Sequence, residues 1–280
     1  MTHESRSSSP DPGDPELVEE AMARRVSPVY FPSPEEPSDY ETIRFLEGPQ
    51  QAVDEAATLD GFTEEFRRAF DVFGELSPCI TFFGSARTRP DDPLYETCRA
   101  TAYLVAKEGF TVMTGGGPGM MEAANRGASE AGGRSMGATI RLEHEEAANP
   151  YVTREVPFEH FFARKTVMVK YSYGFVVMPG GLGTLDEFFE IMTLIQCRKL
   201  REFPVVLMGL DYWSGLVDFM SSQLLAREMI SPEDLNLFHM TDDPRSACAF
   251  ISKIAVRRFK LHKGAPSACI LDWNQHRARP

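Results

Sequence analysis

Short apolar segments alternate with longer amphipathic segments over most of the chain. The apolar segments contain few polar positions, as is typical of strands buried on both faces of a parallel sheet. They predict strands at Cys79–Phe83, Phe110–Thr114, Ser135–Ile140, Phe175–Met178 and Pro204–Met208. Apolar positions at helical spacing predict helices near residues 92–108, 118–131, 160–172, 184–200, 211–228 and 244–259. The pattern therefore predicts an α/β fold with a Rossmann-like, doubly wound parallel sheet and helices on both faces.

The two ends of the chain have a different character. Residues 1–40 contain seven of the twenty prolines, mixed with Ser, Asp and Glu, and this composition predicts a mobile N-terminal arm. Residues 41–76 carry aromatic side chains at helical spacing, which predicts a helical extension at the start of the domain. Residues 263–280 are mostly polar, and we expect them to form a C-terminal tail. We expect residues 41–262 to form a single α/β domain.

The composition excludes several classes of protein. Among 280 residues, 29 Lys and Arg stand against 41 Asp and Glu, which gives a net charge of −12. A general nucleic-acid binder needs a basic surface, so we expect no nucleic-acid polymer as a partner. No apolar run approaches the ~20 residues that span a bilayer, and the N-terminus lacks a signal-peptide pattern. The five cysteines are odd in number and far apart, which favours neither disulfides nor zinc. We therefore expect a cytoplasmic protein with no membrane partner.

Two glycine-rich turns are the main candidates for a binding site. Thirteen of the twenty-one glycines fall between residues 109 and 183. The first glycine loop (residues 114–121) and the second glycine loop (residues 179–184) each follow a predicted strand and precede a predicted helix. In a doubly wound sheet such turns lie at the ligand-binding edge, where glycine lets the backbone approach an anion. The candidate residues are Gly115, Gly116, Gly117, Pro179, Gly180, Gly181, Gly183 and Thr184.

Neither loop matches a dinucleotide fingerprint. Met120 and Asp186 stand where a third glycine is required, and no G-K-[ST] P-loop occurs. An NAD-dependent dehydrogenase is therefore a weak alternative. Each loop alone is equally consistent with a tight turn that needs a positive φ. Two such loops at equivalent places on one sheet favour a phosphate site.

A carboxylate follows the second glycine loop, and two interpretations of it remain open. Thr184 and Glu187 have the spacing of a capping box, in which both side chains would cap the helix. Alternatively, Glu187 lies one turn into the helix and faces whatever the loop holds. Spacing alone does not separate these two interpretations.

Basic residues in a helix and polar residues after the first strand are further candidates. Arg164 and Lys165 are adjacent, a pattern that by default indicates a solvated face. Phe161 and Phe162 beside them suggest instead a helix partly buried against the sheet, with Arg164 at the edge of a pocket. Ser85 and Arg87 follow the first strand, and both are candidates to contact the same ligand.

These motifs together resemble a known family. Residues 179–187 read P-G-G-L-G-T-L-D-E, which resembles the P-G-G-x-G-T-x-x-E signature of the LONELY GUY family, the cytokinin riboside 5′-monophosphate phosphoribohydrolases. The F-G-S turn at 83–85, the G-G-G turn at 115–117 and the R-K pair at 164–165 match further marks of that family. The resemblance covers roughly residues 79–260. Many members were formerly labelled lysine decarboxylases, but no lysine here stands out as a Schiff-base partner.

The resemblance implies the reaction and the roles of the residues. The reaction is hydrolysis of the N-glycosidic bond of a nucleoside 5′-monophosphate, giving free base and ribose 5-phosphate, with no cofactor and no metal. The family's pattern makes Glu187 and Arg164 catalytic. It implies substrate binding by Ser85, Gly115, Gly116, Gly117, Glu122, Lys165, Pro179, Gly180, Gly181, Gly183 and Thr184. Residues 117–127, with Glu122, resemble the longer bacterial branch, which also contains enzymes acting on AMP.

Two further expectations concern the alternative function and the assembly. A non-catalytic nucleotide sensor or scaffold with the same pocket would carry the same residues. The resemblance also implies a homodimer or a higher homo-oligomer. The helix after the second glycine loop has more apolar faces than one sheet contact uses, which favours a subunit interface over burial within the subunit. Its apolar positions are Phe188, Phe189, Ile191, Met192, Leu194 and Ile195.

Overall fold

One sheet of seven parallel strands organises the computed structural model, which describes residues 55–74, 78–140 and 148–261. In chain order the strands are β1 (Cys79–Phe83), β2 (Thr111–Thr114), β3 (Ser135–Ile140), β4 (Arg154–Phe158), β5 (Ser172–Val177), β6 (Val205–Leu207) and β7 (His239–Met240). The predicted arm, residues 1–40, and the predicted tail, residues 263–280, lie outside the described residues. All described residues belong to the unit that runs from Tyr40 to Pro280.

The strand order reverses at β1, in the middle of the sheet. Across the sheet the strands run β4-β3-β2-β1-β5-β6-β7, with every neighbouring pair parallel. The chain therefore winds outward from β1 in one direction and then returns to add β5 on the other side of β1. In open α/β sheets, the crevice at such a reversal, at the carboxyl ends of the strands, is where ligands bind.

Helices cover both faces of the sheet, as a doubly wound fold requires. They are α1 (Glu55–Phe73), α2 (Pro93–Lys107), α3 (Met120–Glu130), α4 (Phe161–Tyr171), α5 (Leu182–Gln196), α6 (Leu210–Phe219) and α7 (Pro244–Phe259). One core packs α2, α3 and α7 on the sheet around Tyr95 and Ile251, and the other packs α1, α4, α5 and α6 around Phe188 and Trp213. Within the described ranges, no helix combines the length and the apolar character needed to cross a membrane.

The predicted fold class is confirmed, and the differences are local. Strands β1 and β3 have the predicted bounds, because all or nearly all of their residues are buried. Strand β4 was not predicted: it is an edge strand with exposed Arg154 and Glu155, and its Pro157 obscures the strand pattern. The two-residue β7 was also missed. The predicted helix at 211–228 ends at Phe219 and continues as a π-helix, Met220–Leu225.

Candidate active site

A cleft of about 600 Å³ lies at the reversal of strand order, between the loops that follow β1 and β5. Those two loops are joined by backbone hydrogen bonds: Ser85 N donates to Pro179 O over 3.0 Å, and Met178 N donates to Phe83 O over 2.8 Å. The first turns of α4 and α5 complete the walls. The backbone at the carboxyl ends of β1 and β5 therefore holds these two loops together beside the cleft.

The second glycine loop presents backbone to this cleft. Helix α5 begins at Leu182, with Gly181 as its N-cap residue. A Cβ built on Gly181 or Gly183 would meet no atom within 4 Å, so the space beside both residues is open. The first N–H groups of a helix have no partner within the helix and carry the positive end of its dipole. This end of the cleft is therefore suited to an anion such as phosphate.

Glu187 is a buried carboxylate in the cleft wall, one turn further along α5. It is only 8% exposed, and this burial raises its pKa from 4.5 to about 7, although the charges of Arg164 and Lys165 act in the opposite direction. The capping-box interpretation is wrong. Because α5 begins at Leu182, Thr184 is already inside the first turn and Glu187 lies in the second.

Arg164 extends from α4 toward the first glycine loop and lines the cleft. A Cβ placed on Gly115 would lie 2.6 Å from Nη2 of Arg164, so the guanidinium packs where only glycine leaves room. Helix α4 is partly buried and Arg164 lies at the cleft, as predicted, but Phe161 and Phe162 do not provide the burial, since they are 48% and 44% exposed. Phe161 lines the cleft instead. The buried residues of α4 are Ala163, Val167 and Met168.

Lys165 is not among the residues that line the cleft, and it connects two helices. Its Nζ lies 2.9 Å from Asp186 Oδ2 and 3.0 Å from Glu190 Oε2, both on α5. Burial alone would lower the pKa of Lys165, but the two carboxylates raise it above its ordinary value. Lys165 thereby fixes the helix that carries Arg164 to the helix that carries Glu187.

The first glycine loop is packed rather than open. Gly116 N donates to Thr114 Oγ1 over 2.8 Å, and Asn149 Nδ2 donates to the carbonyls of Gly116 and Gly117, each over 3.0 Å. Of the three glycines, Gly115 lines the cleft and the other two do not. The loop therefore supports the cleft more than it contacts it.

Glu122 also lies outside the lining. Its Oε1 accepts a hydrogen bond from the Tyr95 hydroxyl over 2.9 Å, which turns the side chain toward α2. The sequence-predicted residues that line the cleft are Ser85, Arg87, Gly115, Arg164, Gly181, Gly183, Thr184 and Glu187. Those that the structure places outside the lining are Gly116, Gly117, Glu122, Lys165, Pro179 and Gly180.

The apolar side of the cleft was missed by sequence reasoning. Met121 and Leu182 join Phe161 in the lining, and Leu182 is 85% exposed. Leu182 occupies the variable position of the glycine signature, so no motif marked it. In the described part of the chain, no three His, Cys, Asp or Glu side chains are grouped closely enough to hold a metal ion.

A second cleft, of about 440 Å³, lies between α2, α3 and α7. Arg99 in its wall is already paired with Glu96 and Glu130, so its main charges satisfy one another. It offers no comparable constellation of reactive groups.

The fold is that of a doubly wound α/β protein, with a cleft at the reversal of its strand order that is lined by Arg164, Glu187 and the start of α5. A family model described as "Possible lysine decarboxylase" matches residues 121–251. The cytokinin riboside 5′-monophosphate phosphoribohydrolase of Mycobacterium marinum is 31% identical over 173 residues, which cover 60% of this chain and 91% of that relative. The chain therefore belongs to the family of cytokinin riboside 5′-monophosphate phosphoribohydrolases.

Two further proteins are similar. The pyrimidine/purine nucleotide 5′-monophosphate nucleosidase of Escherichia coli is 25% identical over 160 residues, which cover 52% of this chain but 35% of that longer protein. A solved structure of the structural-genomics target TM1055 aligns with a TM-score of 0.50 at 25% identity, covering 64% of this chain and all of that one.

Proposed function

We propose that this protein hydrolyses the N-glycosidic bond of a nucleoside 5′-monophosphate, giving the free base and ribose 5-phosphate. The observation that carries the proposal is the placement of Glu187, a buried carboxylate with a pKa of about 7, in one cleft with Arg164 and the open start of α5. The names of the relatives from Mycobacterium marinum and Escherichia coli support the same reaction. The candidate substrates are AMP and a cytokinin riboside 5′-monophosphate.

The phosphate is assigned to the first turn of α5. The backbone beside Gly181 and Gly183 is open, and Thr184 also lines the cleft there. Unpaired N–H groups and the helix dipole favour a dianion at this place. Arg164, on the opposite wall, is placed to contact the phosphate or the ribose with its planar guanidinium.

Glu187 is assigned to the bond that breaks. Departure of the base leaves positive charge on the ribosyl ring, in a state that resembles an oxocarbenium ion. A carboxylate stabilises that charge and can accept a proton from the attacking water. A pKa of about 7 lets Glu187 hold or release this proton near neutral pH. Turnover should therefore rise with pH through about 7, since the carboxylate form is the active one.

Incubation with AMP and with isopentenyladenosine monophosphate, followed by chromatography for free base, tests the proposal. Release of free base and ribose 5-phosphate is the expected result. Nucleotide binding without release would instead support the sensor or scaffold. The relative rates on the two substrates identify the preferred base.

A matched pair of variants locates the chemistry. Glu187→Gln should lose turnover and retain nucleotide binding, because only a charge is removed. Asp218→Asn, at an exposed position of α6 outside the cleft lining, should retain both. Equal activity of the two variants would remove Glu187 from the catalytic role.

We also infer a homo-oligomer and a cytoplasmic location. Phe188, Ile191 and Met192 pack within the subunit, so the predicted interface is reduced to side chains such as Phe189, which is 38% exposed. Phe161 and Leu182 are exposed at the cleft and would be covered by a neighbouring subunit. Sedimentation at micromolar concentration should show a dimer or larger species, and a monomer would contradict the inference.

A further inference from the structure

Helix α1, which precedes the whole sheet, contacts the end of β4 and the start of α4. Arg68 Nη2 donates to Pro157 O over 2.7 Å. The ring of Phe62 packs edge-on against His160 and Phe162, with centroids 4.5 and 4.8 Å apart. Because α4 carries Arg164, this contact links the N-terminal helix to a wall of the cleft.

A buried Glu–His pair lies at the centre of this contact. Oε1 of Glu65 accepts from Glu159 N over 3.0 Å and lies 3.0 Å from Nδ1 of His160. The side chains of Glu65 and His160 are only 7% and 1% exposed. Among the described residues, Glu65 Oε2 and His160 Nε2 have no hydrogen-bond partner. Burying polar atoms without hydrogen-bond partners costs free energy, so this pair contributes little to stability by itself. This favours a role in positioning.

The pair compensates for a missing cap on α4. The N-cap residue of α4 is His160, whose side chain makes no capping hydrogen bond, and no acid lies in the first turn. Helices α3, α5 and α6 also begin without a side-chain cap, whereas α2 and α7 are capped by their own Asp92 and Asp243. Glu65 brings a carboxylate from another helix to the start of α4, where negative charge stabilises a helix.

The same turn holds the backbone of Arg164. The carbonyl of His160 accepts from Arg164 N over 3.1 Å, so a shift of His160 displaces the residue that carries the guanidinium. We propose that Glu65 is a positioning residue which, through His160, holds the first turn of α4 and so keeps Arg164 in place in the cleft. For its effect on turnover, this inference rests on the proposed function.

The first test compares two acids of α1. Glu65→Ala should lower kcat for AMP roughly ten- to a hundredfold, because small misplacements of a catalytic group are costly. Glu65→Gln should recover part of that loss, since its carbonyl can still accept from Glu159 N. Glu64→Gln is the matched control, because Glu64 is exposed and pairs with Arg67 on the same helix. It should change kcat less than twofold.

Amide exchange and a double-mutant cycle separate positioning from general stability. Glu65→Ala should speed exchange in residues 159–166 and leave α5 unchanged. In an Arg164→Ala background, Glu65→Ala should cause little further loss of kcat, since the two residues act as a unit. Equal losses in both backgrounds, or unchanged exchange in residues 159–166, would overturn the inference.

Failure of the positioning role can be distinguished from failure of the proposed function. If the wild-type protein cleaves no nucleotide, the proposed function fails. The coupling between Glu65 and Arg164 is then measured on AMP affinity by calorimetry, with the exchange data beside it. Additive effects on affinity or unchanged exchange would overturn the positioning role, and coupling with faster exchange would support it.

Discussion

The two glycine loops look alike in sequence and differ in what they do. Both follow a buried strand, open a helix and lie near the carboxyl edge of the sheet. At Gly181 and Gly183 an added Cβ would meet nothing within 4 Å. At Gly116 it would lie 2.6 Å from Thr139 Cγ2, and the φ of +78° already disfavours a side chain. Glycine thus leaves open space at Gly181 and Gly183 of the second loop, whereas at Gly116 of the first loop it permits close packing.

The glutamates that follow the two loops differ in the same way. Glu187 on α5 is buried in the cleft wall, and its pKa is raised to about 7. Glu122 on α3 accepts a hydrogen bond from Tyr95 and lies outside the cleft lining. A glycine turn followed by a helix with an early carboxylate is therefore not enough to define a phosphate site. The two loops also differ in the space around their glycines, which is open at Gly181 and Gly183 of the second loop.

The largest expected effect comes from neutralising each of the two glutamates in turn. Glu187→Gln should lower turnover ~10²–10³-fold, about 3–4 kcal/mol of lost transition-state stabilisation. Glu122→Gln should stay near wild type, because its carbonyl still accepts from Tyr95. Turnover and AMP affinity should be measured on the same samples, with melting curves to exclude misfolding. Similar losses from both substitutions would show that the first loop also carries chemistry.

The next effect concerns stability and pH. Because the folded protein keeps the Glu187 proton up to a pKa of about 7 while the unfolded chain releases it near 4.5, Glu187 lowers the free energy of unfolding as pH rises between these values. Gln imitates the protonated form at every pH. Glu187→Gln should therefore add little stability at pH 4.5 and about 3 kcal/mol at pH 8. Urea unfolding at both pH values measures the difference in unfolding free energy between the variant and the wild type. A difference that does not grow with pH would contradict the raised pKa.

A smaller effect should come from the packed loop. Gly116→Ala forces a side chain into a positive φ and against Thr139, which should cost about 2 kcal/mol of unfolding free energy. Denaturant titration at fixed pH provides the measurement. A loss below ~0.5 kcal/mol, the range of ordinary surface substitutions, would mean that this loop is less constrained than its geometry indicates.

The smallest effect should come from the open loop and have the opposite sign. Gly183→Ala adds a methyl group to open space in the first turn of α5, so it should stabilise the fold by up to ~1 kcal/mol. The same methyl group occupies the place assigned to the phosphate, so AMP affinity should fall in calorimetry. Unchanged affinity would move the phosphate away from Gly183.

The sequence predicted the layers of the fold and the side chains nearest the proposed chemistry, but not the orientation of every candidate. Continuous apolar runs in the sequence predict buried strands such as β1. Lys165 follows Arg164, yet adjacent residues point about 100° apart around a helix, and only the packing of α4 decides which one faces the cleft. Glu122 was assigned to substrate through the resemblance. Its bond to Tyr95 depends on how α2 packs against α3, which no local motif encodes.

The helix–strand–helix unit formed by α4, β5 and α5 has a consequence for how this chemistry can be inherited or transplanted. Arg164 precedes β5 and Glu187 follows it, and Lys165 ties the two helices together. Both proposed reactive groups thus travel on one continuous stretch of chain. The Met121 wall and the Ser85 turn come from separate segments. Recombination at the borders of this unit would exchange the Met121 wall and the Ser85 turn while passing both proposed reactive groups on together.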